Sequence, residues 1–86
     1  MAKADTIISK QQAKQLLAHH FGFFRKNVNK LLQEKKMTQV ELGQRIDKDQ
    51  FYVGYILNHP NPNPTLKSII QIGEALEVPF TDLFKK

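Results

Sequence analysis

Apolar residues recur at threes and fours from Ala13 through Leu17, Phe21, Phe24, Val28, Leu31 and Leu32. That spacing gathers them along one side of a helix. Ser9 stands where an N-cap is needed, so the pattern predicts helix from Lys10 to Glu34. Gly22 falls inside this stretch, and glycine in a helix interior costs about 1 kcal/mol relative to alanine. The stripe therefore suits either one long helix or two helices broken near Gly22. Leu16 and Phe23 stand off the stripe, seven residues apart. On a continuous helix they form a second apolar edge, which serves either as a dimer contact or as local cover for the core. Met1 to Ile8 shows no helical periodicity and reads as a loose start.

Shorter periodic segments follow. Thr38 is a good N-cap, and Glu41 three residues later can close a capping box. Val40, Leu42 and Ile46 supply an apolar side, and Gly43 leaves room for a close crossing. Asp47, Lys48 and Asp49 read as a turn, with Asp49 as the cap of a second helix beginning near Gln50. In that helix Val53, Ile56 and Leu57 fall on one side. Phe51, Gly54, Tyr55 and Asn58 share the other, at i, i+3, i+4 and i+7.

Three prolines within Asn58 to Pro64 forbid helix and predict a stiff loop. Thr65 then caps a fourth helix with Leu66, Ile69, Ile70, Gly73 and Leu76 facing inward. Pro79 opens a short last helix carrying Phe80, Leu83 and Phe84. The pattern is that of an all-α chain. Residues 1–20 form an N-terminal segment and helical extension, and residues 21–86 form the helical domain.

Composition narrows the possibilities. A chain of 86 residues holds one modest core. It has no cysteine, so thiolate metal sites and disulfides are excluded, and a cytoplasmic setting is permitted. No apolar run approaches a membrane span. His19 and His20 are adjacent and point about 100° apart on a helix, which prevents them from gripping one metal. No serine, histidine and carboxylate group is indicated, so neither an enzyme nor a cofactor is expected.

The net charge of +5 favours a polyanionic partner, but it is unevenly spread. Met1 to Met37 carries eight Lys or Arg against two acids, whereas Thr38 to Lys86 carries five against six. Arg25, Lys26, Lys30, Lys35 and Lys36 lie on the helix leading into the two short ones. As a group they suit a phosphate backbone; singly, each suits a solvated helix face.

A short helix, a tight turn and a second helix with a polar, aromatic outer face are what a helix-turn-helix requires. The segment Gln39 to Asn58 resembles the helix-turn-helix of the Cro and phage-repressor family. The similarity continues through Leu66, Ile69, Ile70, Gly73, Leu76 and Val78 to Phe80 and Leu83. The resemblance implies a compact bundle of about five helices, the lambda-repressor-like domain, that binds operator DNA as a homodimer. Periodicity alone implies only a small helical bundle.

The resemblance makes Gln39 a phosphate contact. Gln50, with an amide that both donates and accepts, suits paired hydrogen bonds to adenine in the major groove. Phe51 suits a thymine methyl, and Tyr55 and Asn58 a base edge or phosphate. Lys48 and Tyr52 lie on the rim, and Lys30 adds a backbone contact from the first helix. Asp47 stands where the family usually has glycine, and the loop after the second helix lacks the family's usual basic residues. The expected function is that of a sequence-specific transcriptional regulator, a repressor. Two alternatives are an antitoxin-type module that neutralises a partner protein and, weakest, a basic membrane-surface helix in the first third.

Overall fold

The structure, a computed structural model, describes residues 7–86. The expected loose start lies outside the described residues up to position 6, and Ile7 and Ile8 precede the first helix. Helix α1 runs unbroken from Lys10 to Lys35, about 39 Å at 1.5 Å per residue. Gly22 does not interrupt it. Ser9 and Gln12 form a reciprocal capping box, with Ser9 Oγ accepting from Gln12 N at 3.1 Å and Gln12 Oε1 accepting from Ser9 N at 2.9 Å. Lys36 ends the helix in the left-handed region, at φ 55°, returning its N–H to the carbonyls of Leu32 and Gln33.

Helix α2 (Gln39–Arg45) begins on the expected box: Thr38 Oγ1 accepts from Glu41 N at 3.0 Å and Glu41 Oε1 accepts from Thr38 N at 2.9 Å. The chain then turns through Asp47, which adopts φ 60°. Gly43 is buried under this turn; a Cβ there would stand 3.4 Å from the carbonyl oxygen of Asp49 and 3.8 Å from Val53, ordinary contact distances, so the crossing does not depend on glycine.

Helix α3 covers Tyr52–Asn58, two residues later than the sequence predicts. Asp49 is the cause. Its carboxylate accepts from Phe51 N at 2.8 Å and its carbonyl accepts from Tyr52 N at 3.0 Å, closing a turn before the first i→i−4 bond forms.

Helix α4 (Leu66–Ala75) starts at Thr65, whose hydroxyl accepts from Ser68 N. Its buried positions are Ser68, Ile69, Ile72 and Gly73. Leu66 and Ile70, expected inward, are exposed, as is Val40 on α2. Leu66 and Val40 occupy first turns at the rim of the bundle, and Ile70 lies one position, about 100°, beyond Ile69. The last element is a 3₁₀ helix, Phe80–Phe84, not an α-helix. Five residues close i→i+3 bonds, from Asp82 N to Pro79 O and from Lys85 N to Asp82 O. The fold is thus all-helical, four α-helices and one 3₁₀ turn among the described residues.

The core joins Phe21, Phe24, Val28 and Leu32 of α1 to Leu42, Ile46, Val53, Ile56, Leu57, Ile69, Ile72, Leu76 and Leu83. Each fully buried side chain of this size contributes about 1.5–3 kcal/mol from area removed from water. Phe21, Phe24 and Phe84 stack with centroids 4.9 to 5.8 Å apart, fastening α1 to the 3₁₀ helix. Asn27 strengthens the same seam by donating to the carbonyls of Leu83 at 2.9 Å and Lys85 at 2.7 Å. A Cβ on Gly73 would come within 2.9 Å of the Phe80 backbone and Val78 O, so α4 can approach the 3₁₀ helix only without a side chain there.

Phe21 is the first buried residue of α1, and every position from Ile7 to His20 is exposed. The first eleven helical residues therefore project beyond the body, which gives principal extents of 48, 22 and 19 Å. Leu16 is exposed and Phe23 half-buried on this continuous helix. His19 stacks edge-on against Phe23 at 5.1 Å.

Candidate nucleic-acid interface

Between α2 and α3 the turn leaves one face of each helix uncovered. Gln50 and Asn58 are exposed there, Tyr55 is 40% exposed, and Phe51 reaches 72%. An aromatic left so open contributes little to the core, and one turn on from it lies the part-exposed Tyr55. Gln39 joins this surface from α2. A Cβ on Gly54 would meet its Oε1 at 3.4 Å, an ordinary van der Waals contact, so the Gln39 side chain lies against α3 at Gly54.

Several of these groups already hold intrachain partners, and that limits what each has left to offer. Tyr55 Oη accepts from Asn63 N at 3.2 Å, leaving its own proton free to donate. Asn58 Nδ2 donates to Gly54 O at 2.8 Å, leaving the amide oxygen and a second N–H. Asp49 spends one oxygen on Phe51 N, so part of its negative charge is absorbed in holding the turn. Lys48 places Nζ 5.3 Å from the centroid of the Tyr52 ring, a cation–π approach. Tyr52 itself packs partly against the core, and its ring is more a support than an open rim group.

Of the cations expected along a backbone track, Arg25 and Lys35 hold internal partners, and Lys26, Lys30 and Lys36 are exposed. Arg25 Nη2 donates to His59 O at 2.6 Å, capping the C-terminus of α3. Lys35 pairs with Glu77 at 2.9 Å, and that hydrogen bond and charge together lower the Glu77 carboxyl below its usual value. Lys30 lies in a shallow depression with Asn27, Leu31, Glu34, Val78 and Asp82, a set that includes no residue of α2 or α3. The structure thus places Gln39 and Asn58 against Gly54 beside Tyr55, with Gln50 and Phe51 exposed in the turn before α3 and Lys48 over the Tyr52 ring, while Lys30 lines a depression with residues of α1, Val78 and Asp82.

The loop after α3 is ordered by its own bonds. His59 Nδ1 accepts from Asn61 N at 2.9 Å, the Tyr55 and His59 rings approach to 5.1 Å, and Pro62 is fully buried. Asn61, Pro62 and Asn63 then share a groove with Lys10, Ala13, Lys14 and Leu17 from the projecting half of α1. This meeting was not readable in the sequence. Its two sides are about fifty residues apart, and only the unbroken course of α1 brings them together.

Among the described residues no group of three His, Cys, Asp or Glu is placed to hold a metal ion. No helix is long and apolar enough to cross a membrane. No family model matches the chain, and no curated protein or solved structure shows significant similarity to it.

Proposed function

We propose that this chain is a sequence-specific DNA-binding regulator, a repressor that acts as a homodimer with α3 of each copy in successive major grooves. The observation that carries the reading is the exposure of Gln50, Phe51, Tyr55 and Asn58, with the Gln39 side chain lying against Gly54 of the same helix. Amide, aromatic and phenol groups at helical spacing offer paired hydrogen bonds and a methyl contact to base edges, where a good bidentate pair is worth about 1–3 kcal/mol of discrimination. Gln39 serves a phosphate through its side chain.

The test separates reading from holding. Gln50→Ala is expected to relax preference at one base pair, while Gln39→Ala weakens binding evenly on all duplexes. Equal loss on every sequence for Gln50→Ala overturns base reading.

The exposure of Phe51, together with the exposed Ile7, Ile8 and Leu16, favours one second reading. On it, the chain is an antitoxin-type module whose aromatic face covers a partner protein. A stoichiometric complex with one small protein, abolished by Phe51→Ala, in a chain that binds no duplex, would select it.

A further inference from the structure

Residues 49–66, which make up the end of the turn, α3 and the loop after it, include no lysine or arginine. A surface that enters a duplex groove must meet phosphates on both sides, and their neutralisation dominates affinity. Lys48 stands at one end of α3. At the other end, Arg25 is committed to the His59 carbonyl, yet the loop there adjoins two exposed cations, Lys10 and Lys14, along the groove formed with Asn61 and Asn63. The bond from Asn63 N to Tyr55 Oη ties that groove directly to the aromatic face of α3.

We infer that the projecting half of α1 is the phosphate-binding part of the interface. In this arrangement Lys10 and Lys14 hold the DNA backbone flanking the base pairs that α3 reads, with Asn61 and Asn63 as neutral donors. The inference rests on the DNA-binding reading above and gives the projecting helix a partner. It also accounts for the side that α1 turns towards the loop: Lys10, Ala13, Lys14 and Leu17 lie along the continuation of the stripe that is buried further on. Small and apolar residues let the loop come near, and the two lysines extend past them.

The experiment measures duplex affinity across a range of salt for the full chain and for Lys10→Gln/Lys14→Gln, on a preferred and an unrelated sequence. Two lost phosphate contacts are expected to lower the slope of log K against log salt by about 1.8. They should also reduce affinity on both sequences alike, with sequence preference intact. Gln50→Ala should do the reverse, changing preference and leaving the slope. Both lysines are exposed on a helix surface, and an unchanged melting curve confirms that the exchanged chain folds. Duplex binding with an unchanged slope overturns the role of the two lysines while the DNA reading stands. Absence of duplex binding by the unaltered chain overturns that reading and this inference together, and lysine-dependent binding to anionic phospholipid vesicles in its place would assign the arm to a membrane surface.

Discussion

The two halves of α1 carry the same apolar repeat but have opposite surroundings. From Phe21 onward the stripe is buried, with Phe24 and Val28 at 0% and 1% exposure; before it, Leu17 is 37% exposed and Ala13 lies open. Helical periodicity fixes which residues share a side and says nothing of where the partner surface ends. The 3₁₀ helix covers α1 from Phe21 onward, where Phe84 meets the rings of Phe21 and Phe24. Beyond it the arm borders the loop at Asn61 to Asn63. The comparison also separates chemistry. The covered half gives Arg25 and Lys35 internal partners while Lys26 and Lys30 stay exposed, and the projecting half adds Lys10 and Lys14 beside the loop that follows α3.

The largest contrast should appear in the core. Phe24→Ala removes a fully buried ring stacked on Phe21 and Phe84 and is expected to cost about 3–5 kcal/mol. Leu17→Ala, on the same stripe in the arm, should cost under about 1 kcal/mol. Urea denaturation of both variants checks the difference, and similar losses would mean that the arm is packed as firmly as the body.

A smaller effect is expected at the junction. Among the described residues, nothing outside the helix's own backbone lies within 4 Å of a Cβ built on Gly22, so Gly22→Ala should stabilise the protein by about 0.5–1 kcal/mol through helix propensity alone. Thermal unfolding would reveal it. A loss of stability would show that α1 must bend at this point.

Much of the fold was legible because it depends on neighbours in sequence. The caps at Ser9, Thr38 and Thr65 each form as their local spacing requires. The burial of Val53, Ile56 and Leu57 opposite Phe51 and Tyr55 follows from period alone. What escaped was set by distant partners. Asn27 finds carbonyls 56 and 58 positions away, and the 3₁₀ form of the last helix accompanies that seam. Leu66 and Ile70 were misplaced because apolar character does not distinguish a rim from a core. The candidate site divides the same way. The exposure of Tyr55 and Asn58 on α3 was readable from helical spacing, but the diversion of Arg25 to His59 and the approach of Lys10 and Lys14 to the loop required the tertiary path of α1.

The central proposal is that the face of α3 reads DNA sequence, and selection of bound duplexes from a random pool at fixed salt tests it most directly. Enrichment of a palindromic site with half-sites about one helical turn, roughly 34 Å, apart is the expected result. A pool that emerges without any enriched sequence would contradict it.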